Sequence, residues 1–280
     1  MPGPAQVCRS SAEAGFESHV DPLFVARALG FGTLIGFSLG ALGAGGSILT
    51  VPILVYAMGV PVQGATGTSL AIVGLNALTG ALDHVRRGRS LLRTGIAFGV
   101  SGVLGAFAGV WLNHQLRGEL IMLLFSLLMI TAAVSMLRRR SGSALVTSFE
   151  ERCEVIGCSR LVLVGIGVGF LTGFFGVGGG FLIVPALVLV LGLPMPLAVG
   201  TSLVAISLNA LWGLLGNLQF GTLDLMLTGL FAVGGVVGVL TGGKLAGHLP
   251  DRTLRAAFAV LVVALAIYTF GRSMTSVLVA

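Results

Sequence analysis

The stretch GAGGSILTVP, Gly43 to Pro52, sets four helix-weakening residues between long apolar runs, and a near copy, GVGGGFLIVP, returns at Gly176 to Pro185. Glycine and proline cost about 1 and 3 kcal/mol in a helix interior, so a duplicated interruption of this kind demands a reason. Aligning Pro52 with Pro185 sets an offset of 133 residues that holds without a gap into the fifth apolar segment of each copy. Gly43, Gly45 and Gly46 fall on Gly176, Gly178 and Gly179, and GTSL at Gly67–Leu70 falls on GTSL at Gly200–Leu203. LNAL at Leu75–Leu78 falls on LNAL at Leu208–Leu211, and Gly102, Gly105 and Gly109 fall on Gly235, Gly238 and Gly242. About half of positions 43–82 are identical to their partners. Apolar composition alone does not align Pro, Asn, Thr and several Gly at once, so the chain is an internal duplication.

The chain around these motifs is built for lipid. Of its 280 residues 55% are hydrophobic and 9% charged, against about 25% charged in a soluble domain. Several apolar runs approach the ~20 residues of a membrane-crossing helix, and they are continuous rather than the alternating ~10-residue strands of an outer-membrane barrel. The net charge of +6 would suggest nucleic acid in a soluble protein. Here the arginines sit in short loops between apolar runs, which points to membrane orientation and excludes a nucleic-acid partner.

Ten apolar segments can be marked, at about 23–43, 47–59, 64–83, 94–113, 118–137, 160–176, 180–192, 197–217, 224–247 and 253–272. The expected organisation is an N-terminal tail over 1–22, a first five-segment repeat over 23–137 and a polar cytoplasmic linker over 138–159. A second repeat over 160–272 and a C-terminal tail over 273–280 complete it. The first 22 residues lack a basic n-region leading into an apolar core, so no cleaved signal peptide is expected. A unit that crosses an odd number of times reinserts its copy upside down. With ten crossings, Arg86, Arg87, Arg89, Arg93, Arg138 to Arg140, Arg152, Arg160, Lys244, Arg252 and Arg255 gather on one side. Only Arg9, Arg27, Arg117 and Arg272 remain on the other. Positive charge marks the cytoplasm, so the chain is expected in a bacterial inner membrane with both termini periplasmic. The fold class is thus an all-α polytopic membrane protein, two inverted five-helix repeats with broken or short helices at segments 2 and 7. If those two segments dipped in without crossing, the Lys244–Arg255 cluster would face away from the other arginine loops; re-entrant half-helices stay open as the rival.

Segment 2, Ser47 to Gly59, holds 13 residues, ~20 Å of helix against a hydrocarbon core of about 30 Å. Segment 7 is as short. Each must be completed by the glycine stretch before it, and irregular backbone at that depth is tolerated only inside protein or along a wet cavity. The helix that follows offers unpaired N–H groups and a positive dipole end, a ready site for an anion. Interrupted helices at equivalent places of inverted repeats point to a transporter's central site. The candidate substrate-binding backbone is therefore Gly43, Gly45, Gly46 and Ser47 with Gly176, Gly178, Gly179 and Gly180, and Pro52 and Pro185 are structural. Packing of close helices is the competing account of glycine, and it is the one expected for Gly32, Gly36, Gly40, Gly105 and Gly109.

Charged side chains avoid the segment centres: Asp83, His84, His114, Asp224, Lys244 and His248 lie near ends. A cation or proton pathway usually needs an acid at mid-membrane, which tilts the reading toward an anion held by neutral donors. Thr68, Ser69 and Asn76, repeated as Thr201, Ser202 and Asn209, complete the candidate binding set, with interhelical glue as the alternative at each. His84 reads as an interfacial residue rather than a proton shuttle, and Lys244 as one that snorkels to the cytoplasmic face. Cys8, Cys153 and Cys158 match no zinc spacing. No metal or cofactor is expected, and neither HExxH nor GxSxG is present to suggest an enzyme.

The paired GxGG-x3-VP motifs followed by GTSL and LNAL resemble those of the sulfite exporter TauE/SafE family of bacterial permeases, over about residues 25 to 272. The resemblance implies movement of a small anion such as sulfite, a sulfonate or sulfoacetate across the cytoplasmic membrane. Its motif positions are Gly43, Gly45, Gly46 and Pro52 with Gly176, Gly178, Gly179 and Pro185. Ser47 stands where the second copy has Gly180, so the two half-sites need not be equivalent. The expected function is a secondary transporter working by alternating access, with export as the direction and lipid and the anion as partners. An uptake symporter of organic anions with a coupling proton or cation, an anion channel, and a non-transporting assembly subunit are the alternatives. Oligomeric state is not legible.

Overall fold

A computed structural model describes residues 22–43, 45–60, 62–113, 118–138, 158–175, 180–217 and 224–279. Among these residues there are ten α-helices and no strand. They are α1 (Pro22–Leu42), α2 (Gly45–Pro52), α3 (Val62–Arg86), α4 (Leu92–Asn113) and α5 (Gly118–Arg138). After the linker follow α6 (Cys158–Phe175), α7 (Gly180–Leu189), α8 (Met195–Asn217), α9 (Leu225–Ala246) and α10 (Asp251–Val279). Each falls on one of the ten apolar segments, with ends shifted by a few residues. The tenth runs on to Val279, well past 272, so the stretch expected as a C-terminal tail continues the helix. The tail 1–21, most of the linker (139–157), His114, Gly176, Gly178 and Gly179 lie outside the described residues.

Four helices, α1, α4, α8 and α9, are long and apolar enough on their own to cross a membrane. Helices α2 and α7 are short, as expected from the interruptions, and they end alike. Gly59 and Gly192 both adopt a left-handed φ, +71° and +72°, where a Cβ would be strained. Val60 donates to the Leu54 carbonyl at 3.0 Å, and its counterpart Leu193 to Leu187 at 3.1 Å. Between the proline and that turn the copies diverge: Ile53–Ala57 form a π-helical turn after Pro52, whereas the α-helix continues through Pro185 to Leu189.

Helix pairing exchanges between the halves. The tightest crossings are α1 on α9 and α4 on α6, each joining one helix of each half. A Cβ at Gly36 would fall on the Gly235 carbonyl, and one at Gly169 on the Gly102 carbonyl. These two contacts map onto each other under the 133-residue offset. So do Gly32 against Phe231 and Gly165 against Phe98, and Gly40 against Val239 and Gly173 against Ala106. The glycines expected to pack helices thus do so, by letting backbones touch at two equivalent crossings. Helix α3 meets α8, and α5 meets α10, each helix resting on its own copy. The main buried cluster runs through α5, α7, α8 and α10, with Val184, Leu187 and Val188 of α7 fully buried in it.

Candidate functional site

The interruption between α1 and α2 turns on Gly43. Its φ is +77°, a conformation costing roughly 1–2 kcal/mol with a Cβ. Its N–H still closes onto the Leu39 carbonyl at 2.7 Å, so the chain leaves α1 through a single left-handed residue. A Cβ there would lie 2.7 Å from the Ser202 hydroxyl and 2.9 Å from the Val199 Cα of α8. Ser202 donates to the Val199 carbonyl at 2.8 Å and also reaches the Gly43 carbonyl at 3.4 Å. Glycine is required here for both its backbone and its space.

Beyond the turn, α2 begins with Gly45, Gly46 and Ser47, all buried. A Cβ at Gly46 would sit 2.5 Å from the Ile35 carbonyl, and one at Gly45 2.5 Å from the Ser38 hydroxyl. The first turn of α2 is thereby pressed onto α1. The tip of α7 comes to the same place. A Cβ at Gly180 would stand 2.5 Å from the Ser47 Oγ and 3.2 Å from the Ser47 Cβ. Ser47 and Gly180 are equivalent positions of the two copies, so the two helix tips abut at their matching residues. The departure of Ser47 from the glycine pattern now has a cause: a second unlinked side chain would crowd that contact, which favours glycine at one of the pair.

The candidate polar residues differ sharply in how well they are satisfied. Thr68 is fully buried and its hydroxyl has no hydrogen-bond partner. The Ser38 hydroxyl, on the face of α1 that meets Gly45, is likewise buried and unpartnered. Asn76 is fully buried with both amide atoms unpartnered, and its carboxamide lies against Gly235 at the α1–α9 crossing. Asn209 lies near Gly102 at the equivalent crossing, its Oδ1 also buried without a partner. Buried polar groups normally find partners, and each one left open costs about 1–3 kcal/mol.

Thr201, the copy of Thr68, is the contrast. Its hydroxyl donates to the Leu197 carbonyl at 2.7 Å and accepts from the Leu91 amide at 3.1 Å, just ahead of α4. Both of its roles are taken, and it acts as a cap for another helix. Ser69 and Ser47 are buried. Pro185 is buried within α7, and Pro52, half-buried, leads into the π-helical turn.

Sequence reasoning missed two residues. Ser38 was hidden because the offset places it on Leu171, so it belongs to no repeated motif. His84, read as interfacial, is only 3% exposed, and neither ring nitrogen has a partner. Lys244 is exposed in the last turn of α9, in keeping with a snorkelling side chain. Nearby, the α3–α4 turn meets the end of α9: a Cβ at Gly247 would collide with the Arg89 guanidinium. Two of the basic loops therefore share one end of the molecule. Among the described residues no three His, Cys, Asp or Glu side chains gather as a metal site would require.

Residues 28–269 match the family model described as sulfite exporter TauE/SafE. A "probable membrane transporter protein" of Xylella fastidiosa is 38% identical over 89% of this chain and 95% of its own length. The "probable membrane transporter protein YdhB" of Bacillus subtilis is 29% identical over 80% of this chain and 91% of its own. A Methanocaldococcus jannaschii protein with the same description, MJ0441, is 30% identical over 68% of this chain and 72% of its own. No solved structure matches. The chain belongs to the TauE/SafE family and is a membrane transporter.

Proposed function

We propose that the protein is a secondary transporter that carries a small oxyanion, of the sulfite and sulfonate class, at the meeting point of the α2 and α7 tips. The observation that carries this reading is the abutment of Ser47 and Gly180. Two helix N-termini meet there, and a helix N-terminus carries a partial positive charge that favours an anion. The unpartnered hydroxyl of Ser38 faces Gly45 and adds a donor on the α2 side, and Thr68 of α3 carries a further open hydroxyl, while Gly43, Gly45 and Gly46 keep side chains out of the way. Thr201 is left out of the binding set because both its hydrogen-bonding roles are occupied. Neutral donors suit a carrier. They hold an anion firmly enough to select it and loosely enough to release it.

The motion follows from the packing. Glycine-lined crossings weld α1 to α9 and α4 to α6, so rocking of one sequence repeat against the other would tear the tightest contacts in the molecule. The moving bodies are instead mixed, one around α1 and α9 and the other around α4 and α6. They hinge where α3 faces α8, with the short helices between them. The meeting of the α3–α4 and α9–α10 turns supports the ten-crossing topology over the re-entrant one, since it keeps their basic residues on one side. An anion leaving a cell-negative interior gains about 2.3 kcal/mol per charge per 100 mV, enough to drive export without a coupling ion.

Flux through purified protein in liposomes tests the reading. Saturable movement of sulfite or an alkylsulfonate, accelerated by an inside-negative potential, is expected. Movement of a cation with no anion flux would refute it, and unsaturable currents would favour a channel.

A further inference from the structure

The charged end of the molecule holds one group that the anion site does not use. His84 lies past the apolar run that ends at Leu82, in the last turn of α3. The turn that follows is clamped between other helices. Arg89 donates its amide to the His84 carbonyl at 2.9 Å, and Leu91 donates to Thr201 of α8. A Cβ at Gly200 of α8 would fall on the Arg89 carbonyl and stand 3.0 Å from the His84 Nδ1. One at Gly243 of α9 would stand 3.2 Å from the His84 Nε2. Both ring nitrogens therefore face glycine backbone, with no hydrogen-bond partner for either. There is room for an imidazole and for nothing bulkier on the two neighbouring helices.

This packing accepts the neutral ring and rejects the charged one. An imidazolium carries two N–H donors and a full charge, and burying it unpaired is far costlier than burying the neutral form. The charges facing it do not compensate. On α3 the Asp83 carboxylate is bound to Arg87 at 2.9 Å. The turn brings Arg89. Helix α8 brings only Gly200 with Val199 and Thr201 beside it, and none of these titrates. Helix α9 brings the exposed Lys244, whose carbonyl is taken by His248 beyond it at 2.8 Å. On α10, Asp251 is engaged by Arg255 and by the Met195 amide. Burial, the largest effect, holds the His84 pKa below the ordinary 6.5; the Asp83 carboxylate pulls the other way, and Arg89 and Arg87 each push it down by less.

The feature is not a repeat of anything. Under the 133-residue offset Asp83 falls on Gly216 and His84 on Asn217, so only one end of the transporter carries it. We propose that His84 is a proton-binding site that stays empty while the α3–α4 turn is seated on α8 and α9 and fills when the turn lifts away. Water at the charged end supplies the proton to a ring nitrogen, and the imidazolium then holds the corner open until it is lost again. Opening at that end is thereby linked to uptake of one proton. The transporter reading gives this linkage its use, but the linkage itself can be measured without transport.

The sign follows from the lowered pKa. The seated corner is fully stable above about pH 6.5 and loses stability as pH falls through that value, where the lifted form gains a proton that the seated one refuses. The full chain is purified in detergent and its melting midpoint compared at pH 7.5 and 5.5. The wild type is expected to drop by on the order of 3 °C more than His84→Gln, while His248→Gln follows the wild type. An equal drop in His84→Gln overturns the proposal. A second measurement does not depend on that variant folding: with His19, His114 and His248 replaced by Gln, His84 gives the sole imidazole NMR signal. It should titrate with a midpoint below 6.5, and a midpoint at or above 6.5 overturns the proposal. Both readings are independent of anion flux, so an inert protein in liposomes would defeat the transport assignment while leaving the proton site to stand or fall by itself.

Discussion

Helices α2 and α7 carry the same glycine-to-proline signature in equivalent places, yet they live in different surroundings. Every residue of α7 from Gly180 to Val188 is buried, and its Phe181 packs edge-on against Phe125 of α5 at 5.4 Å. Helix α2 leaves Leu49, Val51 and Pro52 only half-buried and then loosens into a π-helical turn that ends near the exposed Tyr56. Such turns inside α-helices mark functional sites often. Beside α2 lies the unsatisfied hydroxyl of Ser38, whose equivalent is Leu171; Thr68 of α3 is likewise unsatisfied, whereas its copy Thr201 of α8 is fully engaged. On the proposed reading the α2 copy carries the binding groups and the α7 copy serves mainly as scaffold.

The largest effects should come where the halves remain equivalent. Gly36→Val and Gly169→Val each drive a branched side chain into the backbone of a partner helix, with no room to yield. Both are expected to abolish folded protein, detected as loss of the monodisperse peak from detergent-solubilised membranes. If one folds normally, the two crossings are not equivalent and the paired architecture needs revision.

The tip contact sharpens the comparison next. Gly180→Ser puts a second hydroxymethyl against Ser47 and should destabilise by about 1–3 kcal/mol, as overpacking does. Ser47→Gly in the same chain should restore most of that stability by moving the one permitted side chain to the other tip. A double variant no more stable than Gly180→Ser would mean that the tips do not meet. Because the move empties the α2 side of its hydroxyl, anion affinity should stay reduced even where stability returns.

Smaller still, and most diagnostic, is the threonine pair. Thr201→Val strands the Leu91 amide and should cost about 1–2 kcal/mol of stability. Thr68→Val removes a hydroxyl that has no protein partner, so stability should hold or rise while anion affinity falls by ~10-fold, or ~1.4 kcal/mol. Melting curves and flux KM values separate the two. Identical behaviour of both variants would erase the distinction between scaffold copy and binding copy.

These contrasts also explain what could be read in advance. The ten helices were legible because continuous apolar runs leave little choice of structure, and the offset located both interruptions. The division of labour was not legible, because identical letters meet different neighbours. Thr68 and Thr201 share the motif GTSL, but Thr201 caps the Leu91 amide just ahead of α4. The position matching that amide is Asp224, whose carboxylate is spent on the Leu227 amide of its own helix. Ser38 lies outside every repeated motif. His84 has a charged sequence context, and its burial comes from Gly200 and Gly243, remote in the chain and made close only by packing.

The central claim is that the α2 and α7 tips meet and that the anion passes between them. Ser47→Cys with Gly180→Cys, in a chain with Cys8, Cys153 and Cys158 replaced by Ser, tests it directly, since the 3.2 Å from the Ser47 Cβ to a Cβ built at Gly180 approaches the ~3.5–4.5 Å of a disulfide. The account predicts that mild oxidation in the membrane links the pair, stops anion flux in liposomes, and that reduction restores it. A pair that never links, or a linked protein that transports at the full rate, would contradict it.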